Sequence, residues 1–153
     1  MEAMTADREK ARGFVQSLHD AETIYQRLLG LTRDQSAILR DGVSPALLEI
    51  ARAKEVELER LNGLEAQLAP ARREWPELRV RVEDTLRVEV QGALGRLEGV
   101  LREILDLEAG DGRRLATQRE ETLSEIRRID SARKIRGAYG SPAPPARLLD
   151  QTE

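Results

Sequence analysis

The side chains able to do covalent or metal chemistry are few and scattered in this sequence. His19 is its one histidine and it has no cysteine. A zinc-type site therefore lacks the further nitrogen and sulfur ligands it needs, and neither a disulfide framework nor a thiolate nucleophile is available. Ser, His and Asp all occur, but a catalytic triad is defined by geometry, and any helical protein offers such combinations by chance. Gly92-x-x-Gly95 lies within helical sequence and follows no strand, so it lacks the strand-to-helix turn that lets a glycine loop cradle phosphate. Asp and Glu alternate with Arg in the manner of solvated helix faces. The expectation is a protein that is not an enzyme, with no catalytic residues, no metal and no cofactor.

The chemistry the sequence does carry is apolar contact. With each residue set 100° on from the last, the stretch from about Leu78 to Arg136 places Val82, Leu86, Val90, Ala93, Leu97, Val100, Ile104, Leu115, Leu123, Ile126 and Ile129 on one face. That is the width of an ordinary core-facing stripe, and its phase holds from one end to the other. The stretch reads as one long amphipathic helix, with Gly110 and Gly112 as hinge candidates because each costs ~1 kcal/mol in a helix interior. Glu108 and Asp111 fall on the apolar face between Ile104 and Leu115. Two carboxylates there are expensive to bury unless paired or hydrated, so packing is expected to loosen at that level. Gly92, Gly95 and Gly99 cluster on the opposite face, where solvent exposure is the simpler expectation and close approach of another backbone the sharper one.

Composition agrees with long packed helices. Charged residues make up 35% and aromatic residues only 3% of the chain, too little aromatic material for a conventional globular core and the usual balance of helical rods. No run approaches the ~18 apolar residues needed to span a bilayer, and the polar start from Met1 to Lys10 has no apolar signal region. A cytoplasmic location is expected.

Two shorter helices precede the long one. The first, about 7–41, carries Phe14, Leu18, Ala21, Tyr25, Leu28 and Leu39 at alternating spacings of three and four, with Thr32 and Gln35 in the same seam. Such heptad-like spacing favours packing against a neighbouring helix. Gly42 follows as a left-handed C′ residue, and Ser44–Pro45 reads as a cap and first helical position. The short connection makes the first two helices antiparallel. The second, about 45–74, has Leu47, Ala51, Leu58, Leu61 and Leu68 as its stripe, backed by Leu48, Ile50 and Leu64. Pro70 is a candidate end or kink, and Trp75 is expected to plug the end of the bundle. The third spans about 77–136. Residues 1–137 are expected to form a single helical-bundle domain, an all-α antiparallel up-down bundle of three long helices, the third giving a fourth if it hinges near 110–112. Gly137, Gly140, Pro142, Pro144 and Pro145 mark 138–153 as a mobile tail.

The lengths do not match. The first helix spans roughly 50 Å at 1.5 Å per residue, whereas Leu78–Arg136 spans roughly 90 Å. The far part of the stripe needs cover by folding back, by a second copy of the chain, or by another protein. Its charge is distinctive too: Arg113 to Arg136 holds eight basic and four acidic residues, a net +4, leaving −7 on the rest of a chain whose total is −3. A basic amphipathic segment suits an acidic helical partner, an anionic membrane or nucleic acid. Without aromatic residues for base stacking and with a negative total charge, nucleic acid is not expected as a partner, nor is stable membrane insertion.

Several short segments together resemble the FlgN family of flagellar type III export chaperones. They are Leu28–Leu29–x–Leu31, Ile38–Leu39–Arg40–Asp41–Gly42, the Lys54-containing second helix with Leu58, Leu61 and Leu64, Ile104–Leu105–Asp106–Leu107–Glu108–Ala109–Gly110–Asp111 followed by Leu115, and Ala138–Tyr139–Gly140. The resemblance covers about 20–150. This chain carries Glu108 and Asp111 where the family usually has asparagines. The resemblance implies an all-helical chaperone that binds unassembled hook–filament junction subunits through its C-terminal amphipathic helix and delivers them to the export gate. It implies Leu115, Thr122, Leu123, Ile126 and Ile129 as cargo-binding residues and Tyr139 as a gate contact. The alternative is a structural coiled-coil protein that homodimerises through the same stripe.

Overall fold

A computed structural model of the chain describes residues 2–139, with the side chains of Glu2, Ala3, Arg136, Ala138 and Tyr139 outside the description. Three helices account for nearly all of it: α1 (Glu2–Arg40), α2 (Ala46–Leu78) and α3 (Asp84–Tyr139). The chain divides into two compact units, Met1–Gly112 and Arg113–Glu153, so the boundary falls within α3.

The first unit is a helical bundle. Lys10 of α1 pairs with Glu74 of α2, and Arg27 with Glu57; partner numbers fall along α2 as they rise along α1, so these two helices run in opposite directions. Between α1 and α3 they rise together, from Arg8–Glu83 through Glu22–Arg96 to Arg33–Glu103.

Each helix forms by burying a seam of alternating three- and four-residue steps. On α1 the seam is Ala11, Phe14, Leu18, Ala21, Tyr25, Leu28, Thr32, Gln35 and Leu39. Val15, Ile24 and Leu29 are buried beside it, so the covered arc reaches about half the circumference at 100° per residue. A helix flanked on two sides needs such an arc. α1, rather than the longer stretch that follows, is therefore the element around which this unit is built.

On α2 the buried face differs from the one the leucines suggest. Ile50, Glu57, Leu68, Trp75 and Leu78 are buried, with Lys54, Leu61, Leu64 and Ala71 half-buried between them, while Ala51, Leu48 and Leu58 are exposed. The true seam contains two charges, Lys54 and Glu57, and that displaced the expected stripe. Glu57 is held by Arg60 at 2.8 Å and faces Arg27 at 3.8 Å.

Helix ends also differ from expectation. α1 begins at Glu2 instead of near Asp7. α2 continues through Pro70 and Pro76 to Leu78. Both prolines are exposed, so their rings sit clear of the core, and burial of Leu68, Trp75 and Leu78 outweighs the lost backbone bonds. The turn then closes through Arg79 N–H to the Trp75 carbonyl at 2.8 Å and Arg81 N–H to the Leu78 carbonyl at 2.9 Å. α3 consequently starts at Asp84, not near Glu77, with Glu83 and Asp84 favourably set at its positive end. Gly42 takes φ +111°, a value open to glycine but costly for other residues, and terminates α1. α3 passes through Gly110 and Gly112 without a break and ends at Tyr139, so the described residues form three helices with no fourth among them, and Ala138 and Tyr139 belong to the helix. The remainder of the expected tail, 140–153, lies outside the described residues.

The apolar core gathers where the start of α1 meets the end of α2 and the start of α3. Phe14, Leu18, Leu68, Trp75, Leu78, Leu86 and Val90 form its body. Trp75 stacks obliquely on Phe14 with ring centroids 5.7 Å apart, the plugging role its position suggests. Gly92, Gly95 and Gly99 are exposed.

Candidate partner-binding surface

At the other end of this unit the seams become polar, and they do so at the same level on all three helices. Asp111 of α3 is 2% exposed. Ser36 of α1 donates its hydroxyl to the Asp111 carboxylate, 2.7 Å from Oδ1 and 2.9 Å from Oδ2. The Gln35 amide donates to Asp111 Oδ2 at 2.7 Å. Its carbonyl oxygen accepts from Lys54 Nζ at 2.9 Å, and the same ammonium pairs closely with Glu108. The expectation that packing loosens at Glu108 and Asp111 is therefore corrected. Both carboxylates are satisfied by donors from α1 and α2, the condition under which burial of charge is tolerated. Three elements position this cluster. The α1–α2 turn at Gly42 sets Gln35 and Ser36 level with Lys54, and the unbroken run of α3 brings Glu108 and Asp111, one helical turn apart, to the same height.

Beyond Gly112, α3 presents the residues expected to bind cargo. Leu115, Ile126 and Ile129 are 44%, 49% and 46% exposed. Thr122 is exposed and Leu123 half-buried. Leu115, Thr122, Ile126 and Ile129 lie within roughly 40° of one line on the helix, and Leu123 lies on its flank. Gly110 is half-buried and Gly112 exposed, both helical; a Cβ added at Gly112 meets nothing within 4 Å. Tyr139 is the last helical residue, and its side chain lies outside the description.

Counting basic residues along the segment does not reveal that two of them stand in the stripe itself. Arg119 and Arg133 continue the seam as Leu115, Arg119, Thr122, Ile126, Ile129 and Arg133, in steps of four, three, four, three and four. Both arginines are exposed, and neither forms an ion pair among the described residues. Arg128, on the far side of the helix, is held by Glu125 at 3.1 Å. A seam of this composition buries apolar area at ~25 cal/mol per Å² when a complementary helix covers it, and its guanidinium forks recognise carboxylates.

His19 is a surface residue, 3.8 Å from Glu22 on the same helix. Among the described residues no group of three or more His, Cys, Asp or Glu side chains is arranged to hold a metal, and no helix is long and apolar enough to cross a membrane.

No family model, no curated protein and no solved structure matches this chain.

Proposed function

We propose that the chain is a cytoplasmic export chaperone of the FlgN-like kind. It caps the terminal helix of an unassembled flagellar hook–filament junction subunit with its second unit. The observation that carries this reading is the exposed seam of α3. Leu115, Ile126 and Ile129 leave apolar surface in water at regular helical spacing, each worth ~1.5–3 kcal/mol if fully buried, and such a face is the usual signature of helix-on-helix recognition. The resemblance of the short segments between Leu28 and Tyr139 to that family supplies the choice of cargo. On this reading Leu115, Thr122, Leu123, Ile126 and Ile129 contact the subunit and prevent premature assembly. Tyr139 contacts the export gate, and gate docking competes with cargo to release it. Gly110 and Gly112 weaken α3 where it enters the cargo-binding segment and serve as its hinge.

Light scattering on the purified chain, alone and mixed with junction subunits, tests this. The expected result is a monomer that takes up one subunit. A tight dimer indifferent to every junction subunit would replace the reading with that of a coiled-coil protein sealed by its own second copy.

A further inference from the structure

The seam of the second unit has a charge code as well as an apolar one. Arg119 and Arg133 are fourteen residues apart, two heptads or about 21 Å along the axis. The residues three and four positions from Arg119 are Leu115, Ala116, Thr122 and Leu123, with no carboxylate among them. Arg133 has only Asp130 within that reach, and Arg127 and Lys134 stand equally near to Asp130. Covering Arg119 with apolar surface would strip its water without a carboxylate in exchange, and covering Arg133 would leave it only a shared one. A partner helix that closes over Ile126 and Ile129 must therefore bring its own anions.

We propose, building on the docking role of this seam, that its occupant is an amphipathic helix whose seam carries two acidic residues two heptads apart, with aliphatic residues between them. Carboxylates at those positions meet the guanidinium forks while the aliphatic residues cover Ile126 and Ile129, which fixes the register. A second copy of this chain fits poorly. A parallel copy in register sets Arg119 on Arg119 and Arg133 on Arg133. An antiparallel copy centred on Ile126 sets Arg119 on Arg133, and a copy shifted by one heptad sets an arginine on Ile126. Like-charge and unpaired contacts of this kind are how seams reject partners.

The probes are two synthetic helical peptides of about four heptads. Both carry Leu and Ile seams; one has Glu at two seam positions fourteen residues apart, and the other has Lys there. Each is titrated by fluorescence anisotropy against the full chain at physiological salt. The Glu peptide is expected to bind about tenfold tighter or better, the equivalent of one charge-assisted contact. The Arg119→Glu/Arg133→Glu variant is expected to reverse the order, with helicity by circular dichroism unchanged. Equal affinities, binding of neither peptide, or self-association that survives the double charge reversal would each overturn the proposal. If junction subunits are still taken up while the peptides are not distinguished, the charge code fails and the chaperone reading stands. If the peptides are distinguished and no junction subunit is taken up, the chaperone reading fails alone.

Discussion

Ser36 on α1 and Asp111 on α3, 75 positions apart in the chain, share one proton donor: the serine hydroxyl lies 2.7 and 2.9 Å from the two carboxylate oxygens. This pair and its neighbours replace the apolar seam at one end of the first unit. A carboxylate this deeply buried makes the level intolerant of slippage, because any shift in register separates it from its donors.

A double-mutant cycle measures that coupling. Asp111→Ala and Ser36→Ala are each expected to destabilise the first unit by about 1–3 kcal/mol, since each leaves buried polar partners unsatisfied. Ser36→Ala combined with Asp111→Ala is expected to cost less than the sum, with a coupling of about 0.5–3 kcal/mol. Urea unfolding followed by circular dichroism gives all three values, and strict additivity would show that the two side chains do not act together.

Lys54 is the cation of the same cluster, its side chain 14% exposed against 42% for its partner Glu108. Lys54→Met is expected to lose about 1–2 kcal/mol, moderated by the access of Glu108 to water. Adding Glu108→Met is expected to recover most of that loss, because an apolar layer replaces a broken ion pair. Midpoints of thermal unfolding for the two variants test the order.

Two glycines are expected to respond with opposite signs. Gly42→Ala must adopt φ +111° and is expected to cost about 1–2 kcal/mol. Gly112→Ala enters a helix with open space around the new methyl and is expected to stabilise it by up to about 1 kcal/mol. Denaturant unfolding compares Gly42→Ala with the parent chain, and slower amide exchange around Arg113–Leu115 reports the effect of Gly112→Ala.

Tyr139→Ala separates cargo binding from delivery. Uptake of a junction subunit in solution is expected to be unchanged, while export of that subunit from cells falls. Loss of solution binding as well would remove the distinct gate role assigned to this residue.

Much of the architecture was legible because long helices announce themselves by period. The α1 seam from Phe14 to Leu39, the glycine turn at Gly42 and the α3 stripe from Leu86 to Val100 follow from spacing alone. The α2 face did not, because Leu58 is a better-looking core residue than its neighbour Glu57, yet Glu57 is the one buried. Only the surrounding Ile50, Lys54, Leu61, Leu64 and Leu68 reveal the heptad that places it inward. α2 runs past the expected end near Glu74 and through Pro76 to Leu78, because tertiary burial of Trp75 and Leu78 overrides the helix-breaking tendency of that proline. The polar cluster does leave a signal in the sequence: Thr32 and Gln35, Lys54 and Glu57, and Glu108 and Asp111 each interrupt a seam, and the turn at Gly42 sets the first two pairs at a common height. Which donor serves which carboxylate depends on the relative heights of three helices, and sequence spacing does not encode that.

Hydrogen–deuterium exchange on α3 tests the docking surface most directly. Most side chains from Leu115 to Arg133 are exposed, and a helical segment with little buried apolar contact opens readily, so amides across that span are expected to exchange quickly in the free chain. Saturating junction subunit is expected to slow exchange across that span in the parent chain and not in Ile126→Asp, whose first unit retains its stability to within about 0.5 kcal/mol. Exchange across Leu115–Arg133 that is unaltered by any junction subunit, or protection confined to the first unit, would contradict the assignment of this seam as the site where the subunit binds.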